Sequence, residues 1–308
     1  MKKWLAGIGF VIAVAIACIY IFISRELVVT SLSLVQCNPQ AVFREVGHSG
    51  NWAVWWPGGE KGGYRYAGDV FSVTGSSYPL TEVTIIHNGM EIKSRISVLS
   101  LSNKDSAAVY WQCSLNAGAT PWQRLRQYIS AKAIRGNMNA VLSRFRPFVE
   151  NEKNIYGMSV GEASTKDTLL VVTKSYLRNY PSTGDIYNLL GKLREYISYE
   201  GAMEKGYPIA NVTPGTDSGF QLMTAIPIDR VLPGKGPIFF RRMVPAKFLV
   251  AEVKGGDHSI RAAFGHLQEY IADHQRMVMA IPFQTIVTDR MKEPDSAKWS
   301  TWIYCPIF

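Results

Sequence analysis

Ile186-Tyr-Asn-Leu-Leu-Gly-Lys-Leu-Arg-Glu-Tyr-Ile197 returns 74 residues later as Ile260-Arg-Ala-Ala-Phe-Gly-His-Leu-Gln-Glu-Tyr-Ile271, with six of twelve positions identical. The flanks agree. At the same spacing, Pro208 of Tyr-Pro-Ile matches Pro282 of Ile-Pro-Phe. An apolar run, Leu169–Val172 or Phe248–Ala251, leads into each copy, and a strand-like run, Thr224–Ile228 or Ile303–Ile307, closes it. The unit reads as strand, helix, strand, strand, present twice at about residues 160–228 and 245–308. In each helix the apolar residues fall at helical spacing: Ile186, Leu189, Leu190, Leu193 and Ile197, then Ile260, Ala263, Phe264, Leu267 and Ile271. One stripe of each helix must therefore be covered by a sheet. Ser182–Asp185 and Asp257–Ser259 supply cap-type side chains before the helices. A unit this small buries little alone, so two are expected to share one sheet. That arrangement leaves a groove between the helices on a pseudo-twofold axis, where pockets form readily.

Working outward, 308 residues suggest about two domains. The charge of +9 is unevenly spread. Residues 1–26 hold three basic residues and one acidic, residues 27–150 twelve and seven, and residues 151–308 eighteen and sixteen. The repeat region is nearly neutral, which argues against a nucleic-acid surface there. Cys18, Cys37, Cys113 and Cys305 contain no C-x-x-C pair, which excludes a zinc ribbon. Cys37 and Cys113 either pair or stand as two separate thiols.

Trp4 to Ser24 is a run of 21 residues without a charge. As a helix it spans roughly 30 Å, the thickness of a bilayer core. Ala15-Ile-Ala17 is a small-residue pattern of the kind that ends a cleaved signal. Ile19–Ile23 continues the apolar run beyond it and favours an uncleaved anchor over residues 1–26. Lys2, Lys3 and the amino terminus place that end in the cytoplasm. The expected location is the bacterial inner membrane, single-pass, with the remainder periplasmic.

After the anchor, Leu27–Val35 reads as a strand, and Asn38-Pro39 as the cap and first residue of a helix. Strand-like segments run from Tyr64 to Leu115, with a hairpin signal at Asn88-Gly89. A long helix is predicted from about Pro121 to Phe148. Its Arg124, Arg126, Lys132, Arg135, Arg144 and Arg146 form a solvated face or an attraction to anionic headgroups. Trp52, Trp55 and Trp56 crowd beside the first helix, as core or as a pocket mouth.

The sequence of strand, Asn-Pro-x-x-Val-Phe, Asn-Trp-x-x-Trp, antiparallel strands and long helix over 27–150 resembles the START-like, polyketide-cyclase-like (SRPBCC) superfamily. The resemblance implies a helix-grip fold, with a long helix across a curved sheet over an apolar cavity, and brings no universal catalytic residues. Residues 151–308 resemble the gyrase-inhibitor-like domain, the effector-binding domain of AraC- and MerR-type activators. The duplicated unit carries that resemblance, together with Val253–Ile260, Ile281–Asp289 and Trp299–Ile307. It implies a groove for small molecules, often cationic and aromatic; some resembling proteins are reported as hydrolases. Many members carry a glutamate in the penultimate strand, where this chain has Gln284. An amide neither pairs with a cation as a carboxylate does nor acts as a general base.

The expected whole is an α+β protein: anchor, helix-grip domain, and duplicated β-α-β-β domain with pseudo-twofold symmetry. The candidate ligand-binding residues are Gln284, Trp302, Tyr304 and Tyr187. On the last strand Ser300, Trp302 and Tyr304 share one face and Thr301, Ile303 and Cys305 the other. No catalytic residue, metal site or cofactor is expected: His266 and His274 stand two helical turns apart, and no nucleophile elbow, Walker loop or dinucleotide fingerprint occurs. The expected partner is a small hydrophobic or aromatic ligand, with no nucleic acid, in a sensing or sequestering role. A hydrolase or cyclase acting in one cavity is the alternative.

Overall fold

The computed structural model describes residues 2–58, 63–102, 105–215 and 218–307, with the side chains of Lys2, Lys3, Leu5 and Ala6 outside the described set. The chain divides into two compact units, Met1–Asn151 and Glu152–Phe308.

The first unit opens with helix α1 (Lys2–Phe22) and strand β1 (Glu26–Val35). Then come α2 (Pro39–Gly47), α3 (Ser49–Trp55), β2 (Tyr64–Tyr66), β3 (Asp69–Ser77), β4 (Leu80–His87), β5 (Met90–Ser100), β6 (Ala107–Asn116) and α4 (Pro121–Val149). The six strands form an antiparallel sheet in the order β1-β6-β5-β4-β3-β2. The Asn38 side chain accepts from Gln40 N at 2.9 Å and starts α2. Asn88 and Gly89, at φ +49 and +78, make the β4–β5 hairpin. Thr120 and Gln123 form a capping box at α4.

Packing in this unit departs from the expected hollow. The layer between α4 and the sheet holds Trp52, Phe71, Trp111, Ile134, Met138 and Phe145, all fully buried. Trp52 stacks on Trp56 with ring centroids 5.1 Å apart, and its Nε1 donates to Val46 O at 2.8 Å. The tryptophans beside the first helix are core. A cavity of about 790 Å³ lies instead along the polar side-chain rows of β4, β5 and β6, lined by Glu82, Glu91, Lys93, Arg95 and Gln112 among others. Beneath α4, buried Asp69 bridges His87 Nδ1 at 2.6 Å and Asn137 Nδ2 at 2.7 Å, pinning helix to sheet. No disulfide links the four cysteines. Burial pushes the thiols of Cys113 and Cys305 up to about 11.

Among the described residues no helix is long and apolar enough to cross a membrane. Of α1, with 21 residues, that description covers Trp4 and Gly7–Phe22 as side chains. Arg124 does not belong to a solvated face. Its Nη1 donates to Ile23 O at 2.9 Å, and its guanidinium lies 4.4 Å over the Tyr20 ring. Tyr20 in turn donates to Ala119 O at 2.7 Å. The end of α1 is thus tied to the start of α4.

The second unit contains α5 (Glu152–Tyr156), β7 (Gly161–Ser164), β8 (Thr168–Leu177), α6 (Thr183–Tyr199), β9 (Ile209–Pro214) and β10 (Phe220–Ile228). It continues with β11 (Phe239–Met243), β12 (Lys247–Lys254), α7 (Asp257–Asp273), β13 (Phe283–Ile286) and β14 (Ser300–Ile307). One antiparallel sheet of eight strands runs β11-β8-β10-β9-β13-β14-β12-β7. The two copies meet at β9 and β13, where Ala210 faces Gln284 and Ile209 faces Thr285. The strand before each copy was not anticipated. It pairs with the other copy's first strand: β7 with β12, and β11 with β8. Each half therefore borrows an edge strand, so neither sheet is complete alone.

The duplication extends to hydrogen bonds. Ala202 N donates to Ile197 O and Arg276 N to Ile271 O, each at 3.0 Å. Lys205 N donates to Pro227 O at 2.8 Å and Met279 N to Pro306 O at 3.1 Å. The left-handed residue after each helix is Gly201 (φ +64) in one copy and Gln275 (φ +51) in the other. A side chain is strained in that conformation by about 1 kcal/mol or more. Gln275→Gly is therefore expected to be neutral or to stabilise by up to about 1 kcal/mol, whereas Gly201→Gln destabilises by about 1 kcal/mol. Urea unfolding of the two variants measures this; equal losses in both would contradict it.

Candidate functional site

The helix-covered face of the second sheet defines the site. Thr224 on β10, Ala210 on β9 and Gln284 on β13 lie opposite one another in one cross-strand row. Around them Leu190, Leu193, Leu222, Ile226 and Ile286 close an apolar core under α6. Leu249, Ala251, Leu267 and Ile303 do the same under α7. Between these cores the row is polar. Thr224 is wholly buried, and its hydroxyl has no hydrogen-bond partner among the described residues.

Over Gln284 sits Arg290, whose side chain is 1% exposed. Its Nη2 donates to Thr301 Oγ1 at 3.1 Å and to Gln284 Oε1 at 3.4 Å. Its Nη1 lies 3.4 Å from Asp257 Oδ1. The Nε–H is buried with no acceptor among the described residues. The Trp299 ring covers the guanidinium at 5.0 Å, and Tyr187 Oη accepts from Arg290 N at 2.7 Å. Burial lowers the pKa of Arg290 and Asp257 partly offsets this, while burial raises that of Tyr187.

Loop geometry delivers this arginine. Between β9 and β10 five residues separate Pro214 from Phe220, and Gly215 N donates to Gly219 O at 2.7 Å. Between β13 and β14 it runs from Val287 to Trp299. That longer loop closes on itself through Lys292 N and Glu293 N to Asp289 O and through Trp299 Nε1 to Glu293 O. It breaks the internal symmetry at the seam. The helix starts converge here too: Thr183 Oγ1 on α6 lies 3.5 Å from Asp257 Oδ2 on α7. Nearby, Arg261 lies 4.7 Å over the Tyr180 ring.

The four sequence-expected residues divide. Gln284 and Tyr187 come together at the seam, joined through Arg290. Trp302 and Tyr304 lie on the opposite face of the sheet. Tyr304 stacks on Phe283 at 5.1 Å in a separate cluster with Phe248 and Val250, and Trp302 is partly exposed. Thr301 is the β14 residue that reaches Arg290. Sequence reading missed Arg290, Thr301 and Trp299, and took Asp257 only as a cap. A cavity of about 300 Å³ also lies beside α7, lined by Tyr156, Glu252, Lys254, His258 and His266 among others. His274 stacks on Tyr270 at 3.9 Å. Among the described residues no group of three His, Cys, Asp or Glu side chains is arranged to hold a metal ion.

No protein-family model and no curated protein matches the chain. Several solved structures are similar in backbone course. The EcmrR C-terminal domain is 13% identical with a TM-score of 0.44, over 49% of this chain and 98% of that one. SAV2435 bound to tetraphenylphosphonium is 16% identical with a TM-score of 0.33, over 49% and 94%. A hydrolase from Listeria innocua is 10% identical with a TM-score of 0.37, over 49% and 92%. At such identities and scores no ligand, partner or activity transfers from them.

A buried ion pair adds little net stability, and an apolar replacement of similar volume is often neutral or better. Asp257 is one-third exposed and keeps access to water when its partner is lost. Arg290→Met nonetheless leaves Thr301 Oγ1 and Gln284 Oε1 buried without their donor and is therefore expected to destabilise by about 1–3 kcal/mol. Urea unfolding checks this; a loss beyond about 3 kcal/mol would make Arg290 a structural brace instead.

Proposed function

We propose that the second unit is a non-catalytic binding module that takes a small, largely aromatic molecule into the seam over Gln284, in a sensing or sequestering role. The observation that supports this most is the buried Arg290 with its unpaired Nε–H. Burying a guanidinium with an orphaned donor costs stability. Packing does not require it, because Leu190, Leu193, Ala210 and Ile286 already fill the adjoining core. The Trp299 ring offers a flat surface for an aromatic guest. The Val287–Trp299 loop folds on itself through Asp289 and Glu293 and carries Arg290 and Trp299 to the seam. A cationic guest meets Arg290 as a like charge and finds the amide of Gln284 where a carboxylate would attract it. A neutral or anionic guest is favoured.

We further propose that the first unit is START-like; its strand order and long α4 support this reading. We also propose that α1 tethers the chain to the bacterial inner membrane, with both units on the periplasmic side. Its 21 residues and the charge-free run Trp4–Ser24 support this. The near balance of eighteen basic and sixteen acidic residues over 151–308 favours a small-molecule partner over nucleic acid.

Thermal-shift screening of the full chain in neutral detergent against small aromatic compounds tests the reading. A stabilising compound is expected to be recovered unchanged, and Gln284→Leu to weaken its binding about fivefold. Compounds consumed on incubation, or hits indifferent to every seam substitution, would count against it.

A further inference from the structure

We infer that the free edge of β1 docks an extended segment of another protein, one in which apolar and acidic residues alternate. The segment adds a strand to the sheet of the first unit. The inference is independent of the seam in the second unit.

An edge strand presents a row of unpaired N–H and C=O groups, so proteins keep such strands short or guard them with charge. Among the described residues three of the four edge strands follow that rule. β2 holds three residues, β7 four, and β11 five, two of them arginines. β1 does not follow it. Its ten residues pair with β6 alone in an unbroken register, and Leu27–Val35 contains neither a charge nor a proline. Ala117 N donates to Arg25 O at 2.9 Å, which sets the alternation of the ladder. Leu27, Val29, Ser31, Ser33 and Val35 turn their backbone groups to β6, and Val28, Thr30, Leu32 and Leu34 turn theirs outward. The outward row stops at Gln36, whose N–H donates to Glu150 Oε1 at 3.2 Å. An extended segment laid along this edge satisfies the row as an added strand does.

The two faces of the edge set the chemistry of that segment. Val28, Leu32 and Leu34 point away from α4, and each is more than half exposed. Leu99, in the same cross-strand row as Leu34 through Ala108, is also exposed. Residues of the added strand that lie opposite Val28, Leu32 and Leu34 share their face, and apolar side chains fit there.

On the other face α4 lies over β1. Ser31 Oγ donates to Asn139 Oδ1 at 2.5 Å, so the helix row that contains Asn139 borders this edge. Lys132, Arg135 and Arg146 fall on that row at helical spacing. Arg146 is met by Glu150 at 3.0 Å, whereas Lys132 and Arg135 are exposed, and α4 itself contains no acidic residue. The alternate residues of the added strand face these cations, and carboxylates complement them. A second copy of β1 in antiparallel pairing would set Lys132 and Arg135 beside their own images, like charge against like. The occupant is therefore a different chain.

Fluorescence anisotropy of the full chain in neutral detergent tests this, with three labelled peptides as probes. These are Glu-Val-Glu-Leu-Glu-Val-Glu-Leu, its twin with lysine for every glutamate, and a copy of the first that is N-methylated at every valine and leucine. The glutamate peptide is expected to bind saturably and at least about tenfold more tightly than the lysine peptide, because Lys132 and Arg135 attract one and repel the other. The N-methylated copy, which cannot donate to β1, is expected not to bind. Leu32→Lys alters a surface side chain, should leave thermal unfolding unchanged, and should weaken the glutamate peptide by about tenfold through lost apolar contact and the added edge guard. Lys132→Glu together with Arg135→Glu should reverse the preference between the two charged peptides. No saturable binding, equal affinity for both charged peptides, or undiminished binding of the N-methylated copy would overturn the inference. So would a concentration-dependent dimer in sedimentation that Leu32→Lys abolishes, which would give the edge to a second copy of this chain.

Discussion

Two short strands, β9 and β13, hold the second unit together. They pair at Ala210–Gln284 and Ile209–Thr285 and so join the two copies into one sheet. The exchange of β7 and β11 to opposite edges makes the joining mutual, because each copy's first strand is finished by a strand that precedes the other copy. A duplicated chain built this way cannot separate its halves without opening both sheet edges. The cost of that closure is a seam at which two helix starts converge on the same spot, and there the sequence places charge rather than hydrocarbon.

The asymmetry of the seam matters as much as the symmetry of the frame. One connection holds five residues between Pro214 and Phe220; its counterpart, Val287–Trp299, is long enough to fold back and insert Arg290. Internal duplication supplies a position where a loop can lengthen without disturbing either core, since Leu190 under α6 and Leu267 under α7 stay buried regardless. The proposed site then lies in the part that differs between copies, as expected when a rigid scaffold positions a variable loop.

Much of this frame was legible in the chain. The helical stripes of α6 and α7 declare themselves by period and the Ser182 cap of α6 by residue type, whereas α7 starts at Gly256 with no side-chain cap from the expected Asp257–Ser259. The Asn88-Gly89 hairpin and the Thr120 start of α4 are equally local signals. Three things were not legible. The edge strands β7 and β11 hold four and five residues, too few for alternation to register. Alternation along β14 separates Trp302 and Tyr304 from Thr301, but a period of two does not say which face the helices cover. And an arginine in a polar loop looks like any solvated arginine; only the fold carries Arg290 under Trp299, as it carries Arg124 onto the end of α1. The first unit shows a related limit: apolar residues beneath a long helix are the same residues whether the space is hollow or, as with Trp52, Trp111 and Phe145, filled.

The claim on which the rest turns is that a guest lands on the buried guanidinium. The most direct measurement is the Arg290 Nε–Hε resonance in a chain with nitrogen-labelled arginine, assigned by its absence in Arg290→Met and followed as a stabilising aromatic compound from the thermal-shift screen is added. A shift of that signal to saturation, with slower exchange of its proton with water, is the predicted result. Saturable binding of the compound with that resonance unmoved would contradict the account.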